Sequence, residues 1–174
     1  KITMLKTDRW LMAAGLKALG YSVNSVDEGE VGKAKELLTE AKKSLLAYDD
    51  TTFYSKLVSG EASLVHAWDG WCNYGIAENP AIKFVIPKEG GSLFVDNLAI
   101  PADARNPELA HAFIDFTLEA EIAAEICRTM HYSSPNKAAL ALLPPAIRTN
   151  PAIFPPPDVI GRLELIRDMG EATV

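Results

Sequence analysis

Redox and metal chemistry have little to work with in this sequence. It holds 2 cysteines and 3 histidines in 174 residues. Cys72 and Cys127 make no CxxC, and neither stands at a metal-ligand spacing from His66, His111 or His131. No metal site is expected. One disulfide between the two stays open beside the plainer reading of two buried thiols. Positive charge is also short: 17 Lys and Arg against 23 Asp and Glu leave a net charge of −6. Nucleic acid and anionic membranes are bound by Lys and Arg, so neither is an expected partner, whereas a small cationic ligand suits this balance. The apolar runs are all too short to cross a bilayer. No basic-then-apolar leader stands before Lys1. Nucleotide-binding glycine loops and the GxSxG elbow are missing, and no two acids are poised for proton transfer. No catalytic residue and no cofactor is therefore assigned, and an enzyme is not expected.

What is present is an alternation of strands and helices. Residues 1–5 (KITML) read as a strand, and a helix capped at Thr7 or Asp8 runs on to Gly20. A second helix is predicted from about Glu28 to Leu45, with Val31, Ala34, Leu37, Leu38 and Ala41 on its apolar side. Leu45–Tyr48 reads as a short strand, followed by a helix capped near Asp50 or Thr51 and closed by Gly60. Strands are predicted over 62–68, 81–87 and from Leu93 to Ile100, with a turn at Asp69-Gly70. Asn106 and Pro107 start a long helix that breaks near Glu119. A short helix follows in SSPNKAALALL, then a Pro-rich surface connection, then a last helix from Asp158. Such alternation predicts an α/β fold: a mostly parallel sheet with helices on both faces. Ligands of these sheets bind outside the carboxyl ends of the strands. That rule selects the loop KTDRW at 6–10, the stretch AWDGW at 67–71, and the GG strand.

Three side chains within those places stand out, and Tyr132 outside them. Trp68 ends a strand, where its ring either faces a crevice or plugs the sheet edge. Phe94 and Asp96 are two apart, so on a strand they share a face and set a ring beside a carboxylate. That pair suits an alkylammonium through charge-assisted hydrogen bonds and cation–π contact. The plainer alternatives are that Asp96 caps a turn through Asn97 or pairs with Lys83 or Lys88. Tyr132, in HYSSPN, is able to stack and to hydrogen-bond, or is simply an amphipathic surface residue. His66, mid-strand, reads as structural.

KLVSGEASLVHAWDGW, VIPKEGGSLFVDNLAIPADARNPELAHAFIDF, HYSSPNKAA and DMGEAT together resemble the spermidine/putrescine-binding protein family. These are the extracytoplasmic receptors of polyamine ABC importers. The resemblance implies a type II periplasmic-binding-protein clamp, in which two α/β lobes close on the ligand. It implies that residues 1–95 with 142–174 are the second lobe and that 96–141 return to the first. The first lobe has no counterpart in this sequence, so a fragment of a periplasmic or extracytoplasmic receptor is expected. Its partners would be a small cationic amine, the membrane permease, and the first lobe or a swapped second copy. By the same resemblance Trp68 walls the ligand chain, Phe94 supplies a ring, Asp96 binds an ammonium group and Tyr132 joins them. Three positions depart. Asp8 keeps an acid after the first strand, but Trp10 takes the usual glutamate place. Trp71 stands where some putrescine binders carry Asp, and Ile166 replaces a polar residue. A ligand charged at one end only would fit this pattern, with Lys6 or Arg9 free to meet a neutral or acidic far end. The alternative function is a lone lobe that pairs with a second copy through the apolar surface of the 106–131 helices.

Overall fold

A computed structural model describes residues 1–168. The chain divides into two compact units, one of Lys1–Phe94 with the segment from Pro156, the other of Val95–Pro155.

The first unit is built on three short parallel strands, β1 (Ile2–Met4), β2 (Leu45–Tyr48) and β3 (Leu64–Val65), in the order β2-β1-β3. Parallel neighbours need a crossover connection. Helices α1 (Asp8–Ala18) and α2 (Glu28–Ala41) join β1 to β2, and α3 (Phe53–Val58) joins β2 to β3. The α1–α2 contact is close because Gly15 has no side chain: a Cβ there would lie 2.9 Å from Leu38 Cδ1. Asp27 caps α2 by accepting from the Glu30 N–H. The second predicted helix ends at Ala41 rather than Leu45, because Lys42–Ser44 tighten into a 3-10 turn before the strand. Leu5, Leu16, Val23 and Phe53 are fully buried between sheet and helices.

Helix α4 (Asp69–Glu78) starts straight after Trp68. Asp69-Gly70 is therefore the helix's first turn, not the predicted tight turn. The predicted strands at 62–68 and 81–87 are corrected too. Only Leu64–Val65 pairs, and residues 82–87 have no ladder partner among the described residues. The GG strand is likewise shorter than predicted. Strand β4 covers Gly91–Leu93, and residues 94–100 carry no strand hydrogen bonds. An apolar run becomes a strand only where a neighbour takes its N–H and C=O groups.

Strand β4 pairs in parallel with β5 (Leu163–Leu165), after the one-turn helix α9 (Pro157–Ile160). This replaces the predicted last helix: Gly161 interrupts it, and the alternating Leu163 and Leu165 pair with Gly91 and Leu93. Residues 169–174, including the end of DMGEAT, lie outside the described residues. Several bonds tie β5 to α1 and the loop after it. Lys17 lies 2.5 Å from Glu164, Ser22 Oγ donates to the same carboxylate, and Asn24 donates to the Leu165 carbonyl. Burial would raise the Glu164 pKa, but Lys17 and Ser22 outweigh it and hold the carboxylate below its usual range.

In the second unit α5 (Pro107–Leu118) and α6 (Ala120–Met130) break at Glu119 as predicted, followed by α7 (Lys137–Leu142) and α8 (Pro145–Arg148). Asn136 caps α7 by accepting from Ala138 and Ala139 and donates to the Leu118 carbonyl. Ala123, Ala124, Cys127, Ala139, Leu143 and Ile153 form the core. The Pro-rich segment is thus not only a surface connection, since Ile153 is 3% exposed. Helix α5 itself buries no residue, and Leu109, Phe113 and Phe116 are exposed.

Gly90 tests the β4–β5 join. It sits at φ 95°, and an added Cβ would lie 2.0 Å from the Arg162 carbonyl oxygen. Gly90→Ala should cost about 1–3 kcal/mol from backbone strain alone, and more if β5 must shift. Thermal unfolding should show a fall of several degrees; an unchanged melting temperature would contradict the join.

Candidate functional site

The carboxyl ends of β1, β2 and β3 lead into three loops, and two aspartates fix the first two. Asp49 is buried after β2. It accepts from the Thr51 and Thr52 N–H groups and from the Thr52 hydroxyl, and pairs with Lys56. Burial would raise its pKa, but Lys56 and the threonine donors prevail and hold the carboxylate well below its usual range. Asp50 reaches the other way. It accepts from the Lys6 N–H at 2.7 Å, the Thr7 N–H at 3.4 Å and the Thr7 hydroxyl at 2.9 Å. The Thr7 side chain is spent on Asp50, so it makes no cap bond at α1, although Thr7 is the N-cap residue. Asp50 thereby sets where α1 begins, and with it Asp8 and Trp10.

Trp10 meets Trp68 with ring centroids 6.3 Å apart and Phe94 at 5.6 Å, both edge-on. Phe53 packs on Trp68 at 6.0 Å and on Tyr54 at 6.3 Å. Trp71 stacks on Tyr54 at 5.8 Å and lies 5.9 Å from Tyr74. Beneath the rings are buried Leu5, Phe53 and Cys72, while Trp10, Trp68 and Phe94 are half-buried. A cluster that rests on buried Leu5, Phe53 and Cys72 and stays half-exposed is a surface on which methylenes or a cation can lie.

Acids surround the cluster. Asp8 is exposed in the first turn of α1. Asp69 opens α4, and burial raises its pKa against the pull of the Asp69 and Gly70 backbone N–H groups. Burial and the Asp69 charge push the Cys72 thiol up to about 11, so it is an inert packing group. Both cysteines are free and buried. His66 is lowered by burial, partly offset by the Asp50 charge, and is neutral at physiological pH. Arg9 gives its guanidinium to the Val23 carbonyl and Asn24 Oδ1. It is therefore held away from the ligand role sketched for it from sequence. No group of three His, Cys, Asp or Glu suited to a metal ion exists among the described residues.

The structure thus brings Trp10, Trp68 and Phe94 into one cluster and links Trp71 to it through Phe53 and Tyr54. Asp96 and Tyr132 belong to the other unit. Asp96 is exposed, and no ion pair involves it among the described residues. Asn97 donates to the Val95 carbonyl, Lys83 to the Pro80 carbonyl, and Lys88 sits beside Glu89. The shared strand face predicted for Phe94 and Asp96 is corrected, because both lie past the end of β4. Tyr132 follows His131, which ends α6 in the left-handed region at φ 57°. Ile166 donates its N–H to the Leu93 carbonyl. The sequence reading missed Asp50, Phe53 and Tyr54. The signal was available, since all three follow the carboxyl end of β2, but they had been read only as a cap and the start of a helix.

Residues 1–155 match the sequence profile of the bacterial extracellular solute-binding protein family. The chain belongs to that family. Among its relatives, the spermidine/putrescine-binding periplasmic protein of Salmonella typhimurium is 33% identical over 99% of this chain and 50% of its own length. The putrescine/cadaverine-binding protein of Pseudomonas aeruginosa is 30% identical over 97% of this chain and 49% of its own. The chain spans about half the length of the curated relatives it matches. Among solved structures, the substrate-binding protein of a spermidine/putrescine ABC transporter from Streptococcus pneumoniae superposes with a TM-score of 0.85. Identity there is 25%, over 98% of this chain and 53% of that one. A lipoprotein of Treponema pallidum gives 0.81 at 30% identity, over 98% and 53%. The fold is accordingly that of a periplasmic-binding-protein lobe, α/β with parallel strands.

The depressed Asp49 pKa has a defined sign. Its ion pair contributes stability that is whole above the unfolded value of about 4 and is lost as pH falls through the lower folded value. Asp49→Asn should therefore unfold at a lower temperature than wild type at pH 7. The gap should narrow as pH drops below about 4. A gap independent of pH would show that the carboxylate's charge is not what Lys56 and the threonines hold.

Proposed function

We propose that this chain is the second lobe and returning segment of an extracytoplasmic receptor for small cationic amines of the polyamine class, feeding a membrane ABC permease. Lobe residues are 1–95 and 142–174, and 96–141 is the returning segment. The observation that carries the reading is the ring cluster of Trp10, Trp68 and Phe94 at the carboxyl edge of the parallel sheet. It is supported by the excess of acid, net −6, and by relatives whose names specify spermidine, putrescine or cadaverine. In this proposal the rings wall the methylene chain, and Asp96 and Tyr132 are separate candidates for contact with an ammonium group. Asp8 and Trp71 are further candidate contacts of the amine. An exposed carboxylate with no ion pair among the described residues gives up only water when an ammonium arrives, so little offsets the gain.

The test is calorimetric titration of the complete receptor with putrescine and spermidine. Asp96→Asn should weaken binding on the order of tenfold to a hundredfold, the loss of one charge-assisted hydrogen bond. Unchanged affinity in that variant would remove Asp96 from the site.

One observation favours a second reading. Leu109, Phe113 and Phe116 form a stripe on α5 and are 68%, 58% and 48% exposed. Apolar patches of this kind mark contact surfaces. In the leading proposal the receptor's other half covers the stripe; in the second, another copy of this chain does so and no ligand is needed. Light scattering of this chain separates them, because a monomer at high concentration excludes the second.

A further inference from the structure

The ring cluster does not stop at Trp68. Centroid steps of 5.6, 6.3, 6.0, 6.3, 5.8 and 5.9 Å link Phe94, Trp10, Trp68, Phe53, Tyr54, Trp71 and Tyr74 in one run. All 3 tryptophans of the sequence belong to it. The contacts change character along the way. From Phe94 to Tyr54 each ring meets the next edge-on, which uses one ring's face and its neighbour's edge. Between Tyr54 and Trp71 the planes lie within 26°, a stack. Trp71 is 44% exposed, unusually open for so large an apolar side chain.

Position decides what that open ring faces. Tyr54 stands in the first turn of α3, which leaves the carboxyl end of β2; Trp71 stands in the first turn of α4, which follows β3. Both first turns therefore lie at the sheet edge where Trp10 and Trp68 meet. Charge at this end of the run is subdued. Asp69 is half-buried, and Asp50 is engaged by Lys6 and Thr7. A stacked ring pair with an open face, next to weakly available carboxylates, suits a flat apolar group better than a second ammonium.

Resting on the amine-receptor reading above, we propose that Trp71, backed by Tyr54, is a specificity-determining residue that receives the flat apolar end of an arylalkylamine. The ligand's single ammonium lies toward Phe94, and its ring extends the Tyr54–Trp71 stack.

The test titrates the complete receptor with phenethylamine and with butylamine, which carry the same charge. Phenethylamine should bind roughly 2- to 10-fold more tightly than butylamine, the range for one aromatic stack beyond area burial. Trp71→Leu, which keeps an apolar side chain without the ring, should erase that ratio by weakening phenethylamine more than butylamine. Trp71→Phe should restore part of it, and thermal unfolding of both variants confirms that each is folded. Equal affinity for the two amines, or a ratio that survives Trp71→Leu, overturns the role of Trp71 while leaving the amine reading intact. Failure of every amine, putrescine included, to bind overturns the amine reading and this inference with it.

Discussion

Three hydrogen bonds to one carboxylate order the functional edge of this molecule. Asp50 holds the Lys6 and Thr7 N–H groups and the Thr7 hydroxyl across 43 or 44 residues of chain. Without that span the loop after β1 would have to satisfy its own donors, and the start of α1 would be free to move. With it, Trp10 is delivered to Trp68 and Phe94. The preceding residue, Asp49, acts on the opposite side, anchoring the start of α3 through Thr51, Thr52 and Lys56. Two adjacent aspartates thus position two ring-bearing helices, and the ring cluster follows from their spacing.

The distribution of charge is consistent with that division of labour. Two carboxylates that hold structure are matched by lysines, Asp49 with Lys56 and Glu164 with Lys17, whereas Asp50 is held by two backbone N–H groups and a hydroxyl. Asp8, exposed in the first turn of α1, has no ion pair among the described residues, and neither has Asp96 of the other unit. Matched pairs are neutral to a passing ligand, whereas unmatched ones select for cations. The chain carries a net charge of −6, a sign that favours a cationic ligand over an anionic one.

Much of the fold was legible in the sequence because it rests on local chemistry. Helices α1 and α2 and the α5–α6 break at Glu119 follow from caps, period and Pro107. The elements that were misread are those that need a distant partner. Residues 82–87 and 94–100 have apolar runs like strands but no neighbour among the described residues to complete a ladder, whereas Leu163–Leu165 is a strand because Gly91–Leu93 lies beside it. Asp69-Gly70 looks like a turn pair, yet Trp68 feeds directly into α4. The site shows the same division. Trp68 was found because it ends a predicted strand, where the parallel-sheet rule points, Phe94 through its spacing from Asp96, and Trp10 through the family resemblance. Phe53 and Tyr54 were missed because a ring in a first helical turn gives no local sign of whether it faces core or crevice. Asp50 was missed because its bonds span the fold, and a carboxylate after a strand also serves as a helix cap.

The central claim is that charge and ring faces act together at this edge to hold an amine. The most direct measurement is calorimetric titration of the complete receptor with putrescine against 1,4-butanediol, which has the same carbon chain with hydroxyls in place of ammonium groups. The account predicts saturable binding of putrescine and none of the diol at the same concentrations. Equal binding of the two, or binding of neither, would contradict it.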